Sequence, residues 1–262
     1  MPRPISKKKL LELKPTLDEL VAKVETPSFI DDDPIQFMHA YPDKRDMELA
    51  GFFAAIMAWG RRDIVISKVD DLLSRMNYQP YHFILNFDDE QLGVLDGFKH
   101  RTFKPVDIFW FIKCLQAILK KHQSFEAFWA HCYQIGTQTD RELIAVFKEQ
   151  FFQFYPQIPS RSYKHISNSE KNSSCKRLYM YLRWCIRTGP VDLGIMNFMD
   201  KSELMIPLDV HVARHARELK LLTRKQNDWK AVEELTNRLR ILDPNDPAKY
   251  DFALFGLGVL NL

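Results

Sequence analysis

Apolar residues recur along this chain at three- and four-residue intervals in one segment after another, while the strict alternation of a half-buried strand is nearly absent. That period places side chains on one face of an α-helix. Glycine, at 9 of 262 residues, is too scarce to serve the many tight turns of an all-β fold. The pattern predicts an all-α protein of about ten helices joined by short connections. No internal repeat points to a solenoid.

The first amphipathic stretch runs from about Ser6 to Val24. A second carries Leu49, Phe52, Phe53, Ile56 and Met57 from Asp46 to near Trp59-Gly60, and a third spans Ile64 to Met76. Further helices are expected over Pro105–His122 and Ser124–His131, and around Leu143, Val146, Phe147 and Phe151. Pro27, Asp31-Asp32-Asp33-Pro34 and Tyr78-Gln79-Pro80-Tyr81 punctuate the intervals. Pro156 and Pro159 introduce the polar stretch Ser160–Ser174, either a linker between lobes or a site loop. Beyond it, Leu178, Leu182, Cys185 and Ile186 fall at helical spacing, followed by helices over Leu208–Leu219, Asp228–Leu239 and Tyr250–Leu257. Two Asp-Pro turns precede the last of these.

With 46% hydrophobic and 27% charged residues, the chain can bury a full core as one large domain or two small lobes. A net charge of +3 does not by itself demand a nucleic-acid partner, so any DNA contact must come from clustered charge. The four cysteines, Cys114, Cys132, Cys175 and Cys185, form neither a CxxC pair nor an iron–sulfur ligand run. No metal and no other cofactor is expected. The basic start Pro2–Lys9 leads into a charged helix rather than an apolar signal segment, and no run is long enough to span a bilayer. A cytoplasmic monomer with reduced thiols, away from membranes, is expected.

Two charged residues stand at helix starts. Asp209, after Ile206-Pro207-Leu208 and before Val212, Ala213, Ala216 and Leu219, is placed to accept backbone N–H groups as an N-cap. Capping is the commonest role of such an aspartate, but His211, Arg214, His215 and Arg217 make this helix start cationic around one carboxylate. Lys176 opens the helix of Leu178, Leu182 and Cys185, with Arg183 and Arg187 completing a basic stripe on its other side. A solvated charge is the usual fate of a helical lysine. As a nucleophile it must be partly neutral, a state that Lys171, Arg177 and the helix N terminus favour.

Lys176 and Asp209, with Leu208-Asp209-Val210-His211-Val212-Ala213-Arg214 around the carboxylate, resemble the second half of the helix-hairpin-helix DNA glycosylase superfamily. Members end their hairpin with a lysine-bearing helix and present an aspartate in a (V/L)DxHVxR context. Thirty-three positions separate the pair, longer than in endonuclease III-like members and closer to the archaeal 8-oxoguanine glycosylases. Glu48 to Lys68, with Ala54-Ala55, Trp59, Arg61-Arg62 and Ile66-Ser67-Lys68, is similar to the first core helices of that superfamily. The chain as a whole, including Cys175-Lys176-Arg177-Leu178, Leu182-Arg183-Trp184, Pro207-Leu208-Asp209 and Lys249–Gly256, also resembles a bacterial family of unknown function distantly related to it.

The resemblance implies a two-lobed helical fold over residues 1–262, its N- and C-terminal segments packing together around a central cleft that holds the site. It implies a base-excising glycosylase, with abasic-site lyase activity as an option, acting on double-stranded DNA that contains a damaged base. Lys176 would attack the sugar and Asp209 would assist. Nucleic-acid contacts would come from Asn172, Ser173, Ser174, Arg177, Arg183, His211 and Arg214, with Arg61 and Arg62. One departure stands out: the family's glycine-rich phosphate-gripping turn is Asn172-Ser173-Ser174-Cys175 here, a degenerate hairpin in which Asn172 can take a left-handed turn. The alternative is a catalytically inactive nucleic-acid-binding protein of the same fold. A Lys176 amine far beyond about 6 Å from Asp209 would favour that alternative. A third option is a purely structural or protein-binding helical module. His100-Arg101, Lys104 and the aromatics Phe109, Trp110, Phe111 and Trp184 read first as turn and packing residues.

Overall fold

A computed structural model describes residues 4–259, and all regular structure among them is helical. Twelve α-helices follow one another: α1 Lys7–Val24, α2 Gln36–His39, α3 Lys44–Met57, α4 Arg62–Arg75, α5 Pro80–Asn86, α6 Pro105–His122, α7 Phe125–Thr139, α8 Leu143–Phe152, α9 Lys176–Ile186, α10 Val210–Glu218, α11 Trp229–Leu242 and α12 Tyr250–Val259. None among the described residues is long and apolar enough to cross a membrane. The four cysteines are buried.

The expected helices are present, and two short ones are added. The expected break at Tyr78–Tyr81 starts α5, because Pro80 occupies a first-turn position where its missing N–H costs no hydrogen bond. Helix α7 continues past His131 because Trp129, Cys132 and Gly136 extend its buried stripe, and it stops where Asp140 turns left-handed at φ 52°. Helix α1 runs through Pro15, which lies on the exposed side, while Leu10, Leu17 and Leu20 are buried.

The chain divides into two compact units, with one boundary between Phe29 and Ile30 and the other inside the polar stretch, between Ser167 and Asn168. The first unit joins α1 to the described residues from Asn168 onward, with α12 packed on α1 and α10. A side chain at Gly256 would place its Cβ 2.5 Å from Val24 Cγ2, so this close approach of α1 and α12 requires glycine. Phe29 packs edge-on against Phe252 and Phe255, at 5.4 and 5.7 Å between ring centroids.

The second unit, Ile30–Ser167, holds α2 to α8 around an aromatic interior. Phe52, Phe111, Phe125, Phe128 and Phe151 are fully buried, and Trp129 stacks on Phe147 at 3.9 Å and 15°. Asp107, in the first turn of α6, fixes the 3₁₀ segment Ser160–His165. Its carboxylate accepts from Ser162 Oγ at 2.7 Å, Arg161 Nη2 at 2.8 Å and the Lys104 amide at 2.9 Å. Burial pushes Asp107 up, but the hydrogen bonds from His165, Ser162 and Lys104 outweigh it and hold the carboxyl down at about 2.

Candidate active site

The loop before Lys176 reaches its geometry without glycine. A three-residue 3₁₀ turn, Ser169–Lys171, leads into it, so α9 is the one α-helix that flanks the loop. Asn172 takes the left-handed conformation at φ 62°, and so does Cys175 at φ 52°. Asparagine adopts this region readily, whereas a buried cysteine there costs about 1 kcal/mol. The loop is pinned to the start of α11, where Asn172 Nδ2 donates to Asp228 Oδ2 at 3.2 Å and the Trp229 amide donates to the Asn172 carbonyl at 3.3 Å. Ser173 and Asp228 pair through their backbones, and Ser173 and Ser174 are half-buried. Asn172 therefore spends its side-chain amide on a carboxylate.

Asp209 divides its carboxylate between two tasks. Oδ1 accepts from the His211 and Val212 amides at 2.9 and 2.8 Å, the N-cap of α10. Oδ2 lies 3.8 Å from Lys176 Nζ, with the two side chains 29% and 25% exposed in the order lysine, aspartate. The cap fixes the carboxylate's orientation, and that orientation aims its second oxygen at the amine. Cap and candidate reactive group are one residue, and the sequence offered no way to choose between them.

The expected basic stripe does not exist. Arg183 and Arg187 are each only 3% exposed, because α9 is buried on every side from Leu178 to Ile186 and its charged positions face interior carboxylates. Arg183 bonds Asp251 and, at 3.3 Å, Asp192. Arg187 bonds Asp192, Asp246 at 2.9 Å and Glu25 at 2.9 Å. A side chain at Gly189 would collide with the Glu25 carboxylate, which keeps that position clear for the pairing. Arg183 is accordingly no nucleic-acid contact, since reaching a phosphate would strip buried acids of their cation.

The remaining cations differ in setting. Arg177 is half-buried, and burial pushes its guanidinium down to about 10. His211 and Arg214 are exposed at the head of α10, where Arg214 Nη2 meets His215 Nε2 at 3.0 Å. Val210 beside them is the most exposed large apolar residue among the described residues, at 67%. Arg61 and Arg62 belong to the other unit. Arg61 pairs with Asp63 at 2.6 Å, and Arg62 lines an open hollow together with Asp31, Asp32, Asp63 and Asp70. That acidic lining repels phosphate.

Asp251 was missed by sequence reasoning. It lies in the first turn of α12, is 9% exposed and accepts a hydrogen bond from Arg183 Nη1. The Arg183 guanidinium carbon stands 4.1 Å over the Phe252 ring. Burial lifts Asp251 to about 6; Arg183 and Lys176 oppose the lift, and Asp209 and Asp192 add to it. Asp251 is thus within electrostatic reach of both members of the pair. The available signal was an aspartate between Tyr250 and Phe252 in an otherwise apolar helix, since buried acids require partners.

Fold and site together define an all-helical protein with a lysine–aspartate pair at two helix starts, backed by buried ion pairs. The chain belongs to the family described as protein of unknown function (DUF2400), whose model matches residues 33–260. No curated protein and no solved structure matches the chain.

Proposed function

We propose that this protein is a DNA base-excision glycosylase with abasic-site lyase activity, working as a cytoplasmic monomer on duplex DNA that contains a damaged base. The observation that carries this reading is the 3.8 Å approach of Lys176 Nζ to Asp209 Oδ2 in a half-exposed setting, with the other oxygen locked by backbone amides. An amine nucleophile needs a nearby acceptor for its proton, and the capped carboxylate supplies one in fixed orientation.

In the proposed reaction the damaged base is turned out of the stack, and Asp209 takes a proton from the Lys176 ammonium. The amine electron pair then forms a bond to C1′ while the C1′–N glycosidic bond breaks, its electron pair leaving with the base, which takes up a proton. Loss of a proton from the new secondary ammonium and opening of the C1′–O4′ bond, with O4′ protonated, give an iminium between Lys176 and the sugar. Removal of a C2′ proton then expels the 3′ phosphate oxygen and cuts the strand.

Borohydride reduces that iminium to a stable amine. Incubation with a panel of damaged duplexes and borohydride is expected to give a covalent protein–DNA adduct that Lys176→Ala abolishes. Absence of any adduct across the panel overturns the reading. The short lysine–aspartate distance is what favours it over an inactive nucleic-acid-binding protein of the same fold, for which no such approach is required.

A further inference from the structure

The pair alone faces a shortage of negative charge. Once Asp209 has accepted the lysine's proton it is neutral, and nothing in the pair remains to offset the positive charge that grows on the sugar and then on the imine. The interior behind the pair supplies a second carboxylate. Asp251 enters from α12, which packs on α10, the helix that Asp209 caps. Arg183, two turns along the helix that Lys176 opens, bonds Asp251 and fixes where its charge sits.

The ion pairs explain why Asp251 has charge to spare. Arg183 and Arg187 are shared among four buried acids, Glu25, Asp192, Asp246 and Asp251, so the cluster carries more anions than arginines. Asp192 is fully enclosed between both arginines, and Glu25 and Asp246 are held by Arg187. Lys176 and Asp209 are both among the charges acting on Asp251, and α12, which carries it, packs on the helix that Asp209 caps.

Resting on the reading of Lys176 as the nucleophile, we infer that Asp251 is a positioning residue of the pair: ionised, it offsets the positive charge that develops on the Lys176 nitrogen as it bonds to the sugar, while Asp209 carries the lysine's proton. It acts through the lysine and does not itself touch the DNA. Arg183, which bonds it, Lys176 at the start of the same helix α9, Asp192 from the loop beyond and Asp209 at the head of α10 are among the charges acting on it. Its own helix is met by His215 of α10 beside Gly258, and by Lys14 and Asp18 of α1, which bond the Tyr250 hydroxyl. Lys249 precedes it, paired with Asp243 and Asp18.

Two measurements on the full chain test this, each comparing wild type, Asp251→Asn and the control Asp246→Asn, which alters the same ion cluster at Arg187. The first is the pH profile of borohydride trapping. Wild type is expected to gain adduct as pH rises through about 6, where Asp251 ionises, and Asp251→Asn to lose that limb with at least a tenfold slower reaction at pH 7. Binding of uncleavable DNA should stay unchanged, and Asp246→Asn should keep the limb. The second is competitive acetylation of Lys176, read by peptide mapping without DNA. Loss of the neighbouring anion should make Lys176 several-fold more reactive at pH 7 in Asp251→Asn only.

Equal Lys176 labelling in wild type and Asp251→Asn overturns the inference, as does trapping that Asp251→Asn leaves unchanged while wild type forms adduct. A labelling shift in a protein that forms no adduct at any pH upholds the hold of Asp251 on Lys176 and removes the glycosylase reading instead.

Discussion

The two units are built from the same kind of helix but fill their interiors differently. Unit two is packed with rings, Trp129 lying flat on Phe147 among Phe52, Phe125 and Phe128, and its deepest carboxylate, Asp107, is satisfied by donors on every side. Unit one threads two arginines through four acids in the place where a hydrophobic seam would serve as well. Buried ion pairs contribute little net stability, because desolvation consumes most of their attraction. On the proposed reading of Lys176 as a nucleophile, their presence on the helix it opens fits a task other than holding the fold, since perturbed charges commonly gather around reactive groups.

The largest break in this contrast comes from removing a cation. Arg187→Met leaves Glu25, Asp192 and Asp246 buried with one arginine among them and should cost about 3–5 kcal/mol in urea denaturation. Phe147→Leu, which only thins the ring packing of unit two, should cost about 1.5 kcal/mol. Equal losses would mean that the ion cluster is ordinary core.

Acid should separate the units by sign. Asp107 is held at about 2, below its ordinary 3.8, so its stabilising contribution is present above about pH 4 and lost as pH falls toward 2. Asp251 is lifted to about 6, so stability is fully present below about pH 4 and is lost as pH rises through 6. Denaturation of Asp107→Asn and Asp251→Asn across pH 2–8 should show the two profiles diverging from wild type in opposite windows, each by roughly 2 kcal/mol.

The smallest effect carries the sharpest distinction. Asparagine caps a helix as well as aspartate does, so Asp209→Asn should change stability by less than about 0.5 kcal/mol while abolishing trapping on damaged DNA. If instead trapping persists, Asp209 is a cap and nothing more.

Much of the helical order was legible because each long segment repeats its apolar positions at helical spacing, and proline and aspartate mark the ends. Helix α5 was hidden because Pro80 reads as a breaker and serves as a first turn. Lys176 and Asp209 could be singled out from their local context, but no spacing of thirty-three positions reveals a 3.8 Å approach, which depends on how α9 and α10 pack. The supposed stripe of Arg183 and Arg187 failed for a definite reason. A helical wheel shows which residues share a face and is silent on whether that face meets water or, as here, acids from residues 25, 192, 246 and 251. Asp251 escaped notice because its partner lies 68 positions earlier in the chain.

The division at Phe29 and Ser167 also sets a timetable. Unit two is one uninterrupted segment and is ready to fold as soon as it has left the ribosome. Helix α1 is made first yet belongs with α12, so it must wait through the synthesis of some 220 residues for its packing partner. Asp251 comes on that same late helix, so Lys176 and Asp209 are both synthesised before the charge behind them is in place.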